Sequence, residues 1–387
     1  MTETNKAGRI ESLDALRGVA ALAVAVFSHY QHFGGDKSKY PYASSLPASW
    51  LYTHSWLAVD LFFVLSGIVL TYRYFEPLTR RLISGREFFV LRLSRLYPLH
   101  VATLLVCAAV EWPLLAEGKP TVVYEHNNDL YHFFLHLTYL HSGWFEQGWS
   151  YNMPSWSVCS EVFVYVLFYA FATRLPKGYG YAGLATMFVG MAVIMMKWSI
   201  PLFNYSMARA MVGFFAGSFL YFGMREAERA GKARALGLGA LGGFAAIAAL
   251  AAWIGYDRWI TGEPLPHALI VFPLAIVASS MVPPLAKLFS LRPFTFLGDI
   301  SYAVYLMHVP LQMVTLTIAQ RSGIKLPITE PWFLFAYAAV LVVASAAAHY
   351  GFERPARSWL RDRLSPRKAP RAAAPAVVAA EPAAPAA

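Results

Sequence analysis

The chain reads as an all-α, polytopic transmembrane bundle of about ten helices with both termini cytoplasmic. Three observations predict this. Hydrophobic residues make up 57% of the 387 and charged residues only 14%, against about 25% charged in soluble domains, so a soluble fold could not bury this much apolar surface. The apolar residues gather into segments near the ~20 needed to cross hydrocarbon. None of these runs shows the period-two alternation of barrel strands.

The first segment, Leu13–His32, opens with acidic and basic residues. No small-residue cleavage site precedes the polar stretch after it, which argues for a retained helix rather than a cleaved signal peptide. The second is Trp56–Tyr72. Residues 73–95 follow, basic but with Phe75, Leu78, Leu82, Phe88 and Phe89 spaced among the charges, and are expected to lie partly along the membrane surface. Tyr97–Leu115 is the third segment. The loop 116–155 is rich in Tyr, His and Trp; its part Leu130–Leu140 suits an interfacial or re-entrant helix but is too short to span. Trp156–Thr173 and Tyr181–Met196 come next, then a short sixth segment, Met211–Phe222, containing Gly213 and Gly217. Ala235–Trp253, Ala268–Met281, Phe296–Ile318 and Trp332–Tyr350 complete the set, the eighth and tenth with blurred ends. Residues 1–360 thus form one membrane domain. Residues 361–387, basic and then Ala/Pro-rich, read as a disordered tail. Cys107 and Cys159 both fall inside apolar segments, with no disulfide or metal spacing.

Charge orients the bundle. With a cytoplasmic N-terminus, the inner segments hold 23 of the 32 Lys and Arg, the outer ones hold 8 (Arg209 and Arg258 among them), and Arg17 lies inside the first helix. The net charge of +10 therefore implies contact with anionic membrane lipids rather than nucleic acid. The location implied is an inner (plasma) membrane.

Ionisable groups inside spanning helices are costly and mark function by default. Those to explain are Arg17, His29, His32, Asp60, Glu161, Asp299 and His308. At about 1.5 Å per residue, His29 lies roughly 24 Å into its helix and His308 roughly 18 Å, while Glu161 is about 8 Å below the outer edge. All three reach the outer half, above Arg17 and the basic loop. Asp60, at a polar helix end, reads as a cap or ion-pair partner, and Asp299 as an N-cap or first-turn acid.

Six motifs run in order through residues 10 to about 360. They are Leu13-Asp14-Ala15-Leu16-Arg17-Gly18, Val59-Asp60-Leu61-Phe62-Phe63-Val64-Leu65-Ser66-Gly67, Arg92-Leu93-Ser94-Arg95-Leu96-Tyr97-Pro98, Trp156-Ser157-Val158-Cys159-Ser160-Glu161, Ser301-Tyr302-Ala303-Val304-Tyr305-Leu306-Met307-His308 and Glu353-Arg354-Pro355. In these the chain resembles membrane acyltransferase family 3, which includes many bacterial O-antigen, exopolysaccharide, Nod-factor and macrolide O-acyltransferases. The resemblance implies a ten-helix fold that takes an acyl group, most often acetyl, from a cytoplasmic CoA thioester and delivers it to a hydroxyl at the outer face or within the membrane. It also implies that Arg17 and His29 are the functional pair. The register departs from the family's: eleven residues, not ten, separate Arg17 from His29, and Ser28 fills the expected slot. At about 100° per residue Ser28 lies about 20° off the Arg17 face and His29 about 120° off. A π-bulge would absorb the extra residue; otherwise His29 or His32 acts from the side.

The chemistry follows. A thioester is already activated, so what is missing is deprotonation of the alcohol, a task for a histidine base. His29 is the expected base. Glu161 is expected to orient an imidazole or pair with a cation, and His308 to stabilise the oxyanion or serve as the alternative base. Arg92 and Arg95, one turn apart, suit the phosphates of acyl-CoA, with Arg17 guiding the pantetheine arm or carbonyl. A covalent relay through Ser66 or Cys159 lacks a base that the sequence places beside either. The acceptor expected is a carbohydrate or lipid-linked glycan. Intramembrane charge also suits a transporter of a small polar or anionic substrate, but no repeated pair of broken helices supports that. His29/His32 and His132/His136 have haem-like spacing, yet His132 and His136 lie in the outer loop, so neither metal nor haem is expected.

Overall fold

The computed structural model describes residues 11–119, 123, 127–143, 145, 148–200, 203–254 and 263–364. The tail from Ser365 and Arg258 lie outside them. Ten helices among these residues are long and apolar enough to cross a membrane: α1 Glu11–Phe33, α2 Ala48–Thr79, α3 Gly85–Ala116, α4 Met153–Arg174, α5 Tyr179–Met196, α6 Tyr205–Arg229, α7 Ala233–Trp253, α8 Pro264–Met281, α9 Arg292–Ser322 and α10 Pro331–Leu364. They run alternately up and down. The start of α1 and the ends of α2 and α10 meet at a basic end, and the starts of α2, α4 and α6 meet at an aromatic end.

Several helices outrun their apolar segments. Most of residues 73–95 belongs to the ends of two long helices rather than to a separate segment. α2 continues through a π-helical turn, Thr71–Phe75, to Thr79, and α3 starts at Gly85, capped by the Ser84 side chain accepting from Glu87 N–H. Arg73, Arg86, Arg92 and Arg95 therefore stand on helices, Arg80 and Arg81 sit in the exposed turn between them, and Arg92 is buried. α6 starts at Tyr205, so Arg209 is a buried helical residue rather than a loop charge. α9 starts at Arg292, which places Asp299 two turns inside it, past the cap and first turn. The last helix runs to Leu364, four residues into the stretch read as tail. Between α3 and α4 the apolar stretch of the loop forms a short helix, Leu130–Leu137.

Two crossings set the site. α2 and α6 approach through Gly67 and Gly217: a Cβ on Gly67 would strike the Phe214 carbonyl and one on Gly217 the Val64 carbonyl. α1 and α9 approach through Gly18 and Gly298, where a Cβ would meet the backbone of Leu297 or of Asp14. Small residues allow such backbone proximity, which is how helices associate without a hydrophobic drive between them. Further along the α1–α9 seam, Pro310 has no N–H for the Leu306 carbonyl four residues back. That carbonyl instead accepts from Asn152 Nδ2 at 3.0 Å, which fastens the start of α4 to the middle of α9.

Candidate active site

α1 changes its winding where the site begins. Residues Ala23–Phe27 are π-helical and Ser28–Phe33 are 3-10. The wide turn takes up the residue by which Arg17 and His29 are out of register. The result brings together side chains 279 residues apart in sequence: His29 Nδ1 and His308 Nε2 lie 2.6 Å apart, one donating to the other. Their rings stack at 4.9 Å, and the His32 ring also stacks with His29 at 4.9 Å. Gln312, one turn beyond His308, fixes the arrangement. Its Nε2 donates to the His29 carbonyl (2.9 Å) and its Oε1 accepts from His32 Nδ1 (3.0 Å), so His32 carries its proton there.

Glu161 does not touch this dyad. One of its carboxylate oxygens accepts from Ser66 Oγ at 2.6 Å and from the Tyr165 hydroxyl at 2.5 Å. Arg17 pairs with Asp14 at 3.2 Å, and Arg92 donates to the Tyr74 hydroxyl at 2.7 Å. Arg17, Arg92, Arg95, Glu161 and Ser66 nevertheless share the wall of one narrow pocket of about 70 Å³. Cys159 lies apart, buried, with its thiol donating to the Tyr139 carbonyl.

This pocket is the middle of three adjoining cavities. On its basic side, a cavity of about 350 Å³ shares Arg17, Arg95 and Tyr302 with it and adds Arg73, Arg354 and Arg357, with Asp299 and Glu353 also in its wall. On the other side, a cavity of about 980 Å³ opens at the aromatic end and shares Tyr305 with the narrow pocket. His29 lines this larger cavity with Trp56, Trp149, Trp156, Trp198 and Tyr205. Arg209 lines it too, its guanidinium 4.8 Å from the Trp56 ring and 5.0 Å from the Trp156 ring and donating two hydrogen bonds, at 3.0 and 2.8 Å, to the fully buried Asp60. The ion-pair reading of Asp60 thus has its partner. Arg209, Gln312 and Tyr305 are the residues the sequence did not single out.

The helical bundle and these side chains define an integral-membrane acyltransferase, and the chain belongs to the family it resembles: the family model described as an acyltransferase domain matches residues 10–350. Among curated relatives, "Exopolysaccharide production protein ExoZ" of Rhizobium meliloti (strain 1021) is 26% identical over 309 residues, covering 77% of this chain and 88% of that protein. "Protein 2 in picA locus" of Rhizobium radiobacter is 41% identical over 111 residues, 29% of this chain; the chain spans half of that relative's length. No solved structure matches the chain.

Proposed function

We propose that the chain moves an acyl group, acetyl in the first instance, from acyl-CoA in the basic-end cavity to a hydroxyl of a carbohydrate or lipid-linked glycan in the aromatic-end cavity. The basic end then faces the cytoplasm and the bundle sits in an inner membrane. The carrying observation is that the three cavities adjoin in series, arginines at one end and a histidine with aromatic walls at the other. Arginine forks match the phosphates and pyrophosphate of CoA, and Arg95, Arg354 and Arg357 lie where those groups would rest, with Arg17 at the entrance of the neck. The narrowness of the neck favours a short acyl chain. Aromatic faces suit a sugar ring, and the name of the Rhizobium meliloti relative places it in exopolysaccharide production.

In the direct route His29 Nδ1–H donates to His308 Nε2, leaving His29 Nε2 to accept the proton of the attacking hydroxyl. The alcohol oxygen bonds to the thioester carbon, the C–S bond breaks, and the thiolate leaves, taking the proton that His29 accepted to become CoA thiol. His308 acts as the positioning partner of the base. A second reading is favoured by one contact, Ser66 Oγ on Glu161, which supplies the base that the sequence alone did not place beside Ser66. Ser66 would attack the thioester as Glu161 takes its proton, CoA thiol would leave, and the acyl-serine would then be attacked by the glycan hydroxyl.

Membranes incubated with radiolabelled acetyl-CoA test both. Label in an envelope glycan that vanishes in His29→Ala supports the base assignment, and retained labelling moves the role to His308 or His32. Label on the chain itself without acceptor, lost in Ser66→Ala, supports the two-step route.

A further inference from the structure

We propose that His100, His136 and His141 form a binding site for a zinc-type divalent ion, which fastens the segment between α3 and α4 to the bundle. The three rings come from separate places: the middle of α3, the last turn of the short helix, and the turn after it. All are buried, and one ring nitrogen from each lies within 4.8 Å of the others. A tetrahedral ion with Zn–N bonds of about 2.0–2.1 Å needs its ligands about 3.3 Å apart. The rings stack nearly parallel, His136 on His141 at 3.9 Å and 11° and His100 on His141 at 5.6 Å and 16°, so their planes must turn toward one point to hold the ion.

The hydrogen bonds around His100 and His141 are those of metal ligands. A metal-bound histidine holds its second nitrogen on a carbonyl or another polar group, which fixes tautomer and orientation. His100 Nε2 donates to the His136 carbonyl at 2.8 Å, so its lone pair sits on Nδ1, which is buried and has no hydrogen-bond partner. His136 Nε2 is held by Ser150 Oγ at 2.9 Å, and its Nδ1 lies 3.4 Å from Ser155 Oγ, a long contact that the ion would replace. His141 Nε2 is held by Ser155 Oγ at 2.9 Å, and its Nδ1 is likewise buried without a partner. Packing alone would leave two buried ring nitrogens unsatisfied, a cost that native interiors avoid. An ion removes it. Three imidazoles select borderline ions such as zinc over magnesium or calcium and leave a fourth position open. The site's consequence is mechanical, because Ser155 precedes Trp156 in the wall of the aromatic-end cavity. The proposal does not depend on the acyl-transfer reading.

The test uses the full chain purified in detergent with any affinity tag removed, incubated with zinc and desalted before metal analysis. Near-stoichiometric zinc is expected, with a higher melting temperature that a chelator lowers and zinc, not magnesium, restores. His100→Ala and His141→Ala should lose the zinc. Ser150→Ala, which removes only the group steadying His136, should weaken it about 10–100-fold in competition with a chromophoric chelator. Wild-type protein that retains no zinc overturns the site, as does zinc retained equally by the histidine variants. The first result needs no variant to fold.

Discussion

The ion pair between Asp60 and Arg209 gives the sharpest stability prediction. Removing one partner of a buried pair strands the other, at about 3–5 kcal/mol. Arg209→Met strands a carboxylate that is fully buried (0% exposed) and accepts two hydrogen bonds in the native protein, so the loss should approach the upper figure of about 5 kcal/mol. Asp60→Leu strands a guanidinium that keeps its stacking on Trp56 and Trp156 and reaches the cavity, so the lower figure of about 3 kcal/mol applies. At about 2 °C per kcal/mol for a chain this size, the melting temperature in detergent should fall by about 10 °C for Arg209→Met and about 6 °C for Asp60→Leu. The double variant Asp60→Leu/Arg209→Met has no stranded charge and should melt above Arg209→Met alone. Two mild single variants, with a double variant that simply adds them, would refute the reasoning: the pair would then be hydrated through the cavity and worth no more than a surface bridge.

Other outcomes follow from the same geometry. His29→Ala should lower kcat by about 10²–10⁴, whereas His308→Gln should cost on the order of tenfold in kcat with the acceptor KM unchanged, both read by glycan labelling; equal losses would make His308 the base. Asn152→Ala leaves the Leu306 carbonyl unsatisfied and should destabilise by about 1–3 kcal/mol, seen as a lower melting temperature. Gly217→Val forces a side chain onto the Val64 backbone and should abolish the monodisperse peak in size-exclusion chromatography, whereas Gly239→Val, where a Cβ meets nothing, should not.

The spans were legible because hydrocarbon thickness is a one-dimensional constraint that hydropathy reads directly. Their ends were not. Arg209 and residues 73–95 looked like loops because charge argues against burial, and only a partner 149 residues away, or a tyrosine ring, reverses that argument. His29 and His308 could be named from the sequence, and their similar depth suggested one level, but their contact depends on the glycine crossing of α1 and α9 and on the wide turn after Leu22. Glu161 was legible as a candidate site residue and not as a partner of Ser66, since helix phase between α2 and α4 is invisible in one dimension. Gln312 carried a readable signal, a polar side chain four residues after His308 in an apolar helix, which a search confined to ionisable groups passes over.

Hollowing a bundle from both ends has an electrical consequence. On the proposed arrangement, with both outer cavities hydrated, the low-dielectric part of the path shrinks to the neck between Arg17 and Tyr305, and a transmembrane potential drops mainly across that short stretch. A group carried through it does work on the field in proportion to its charge. In the proposed transfer the acyl group crosses, the hydroxyl's proton passes to the thiolate and the phosphates of the carrier stay among the arginines, so no net charge crosses. On the proposed reaction, turnover in energised vesicles is therefore indifferent to membrane voltage.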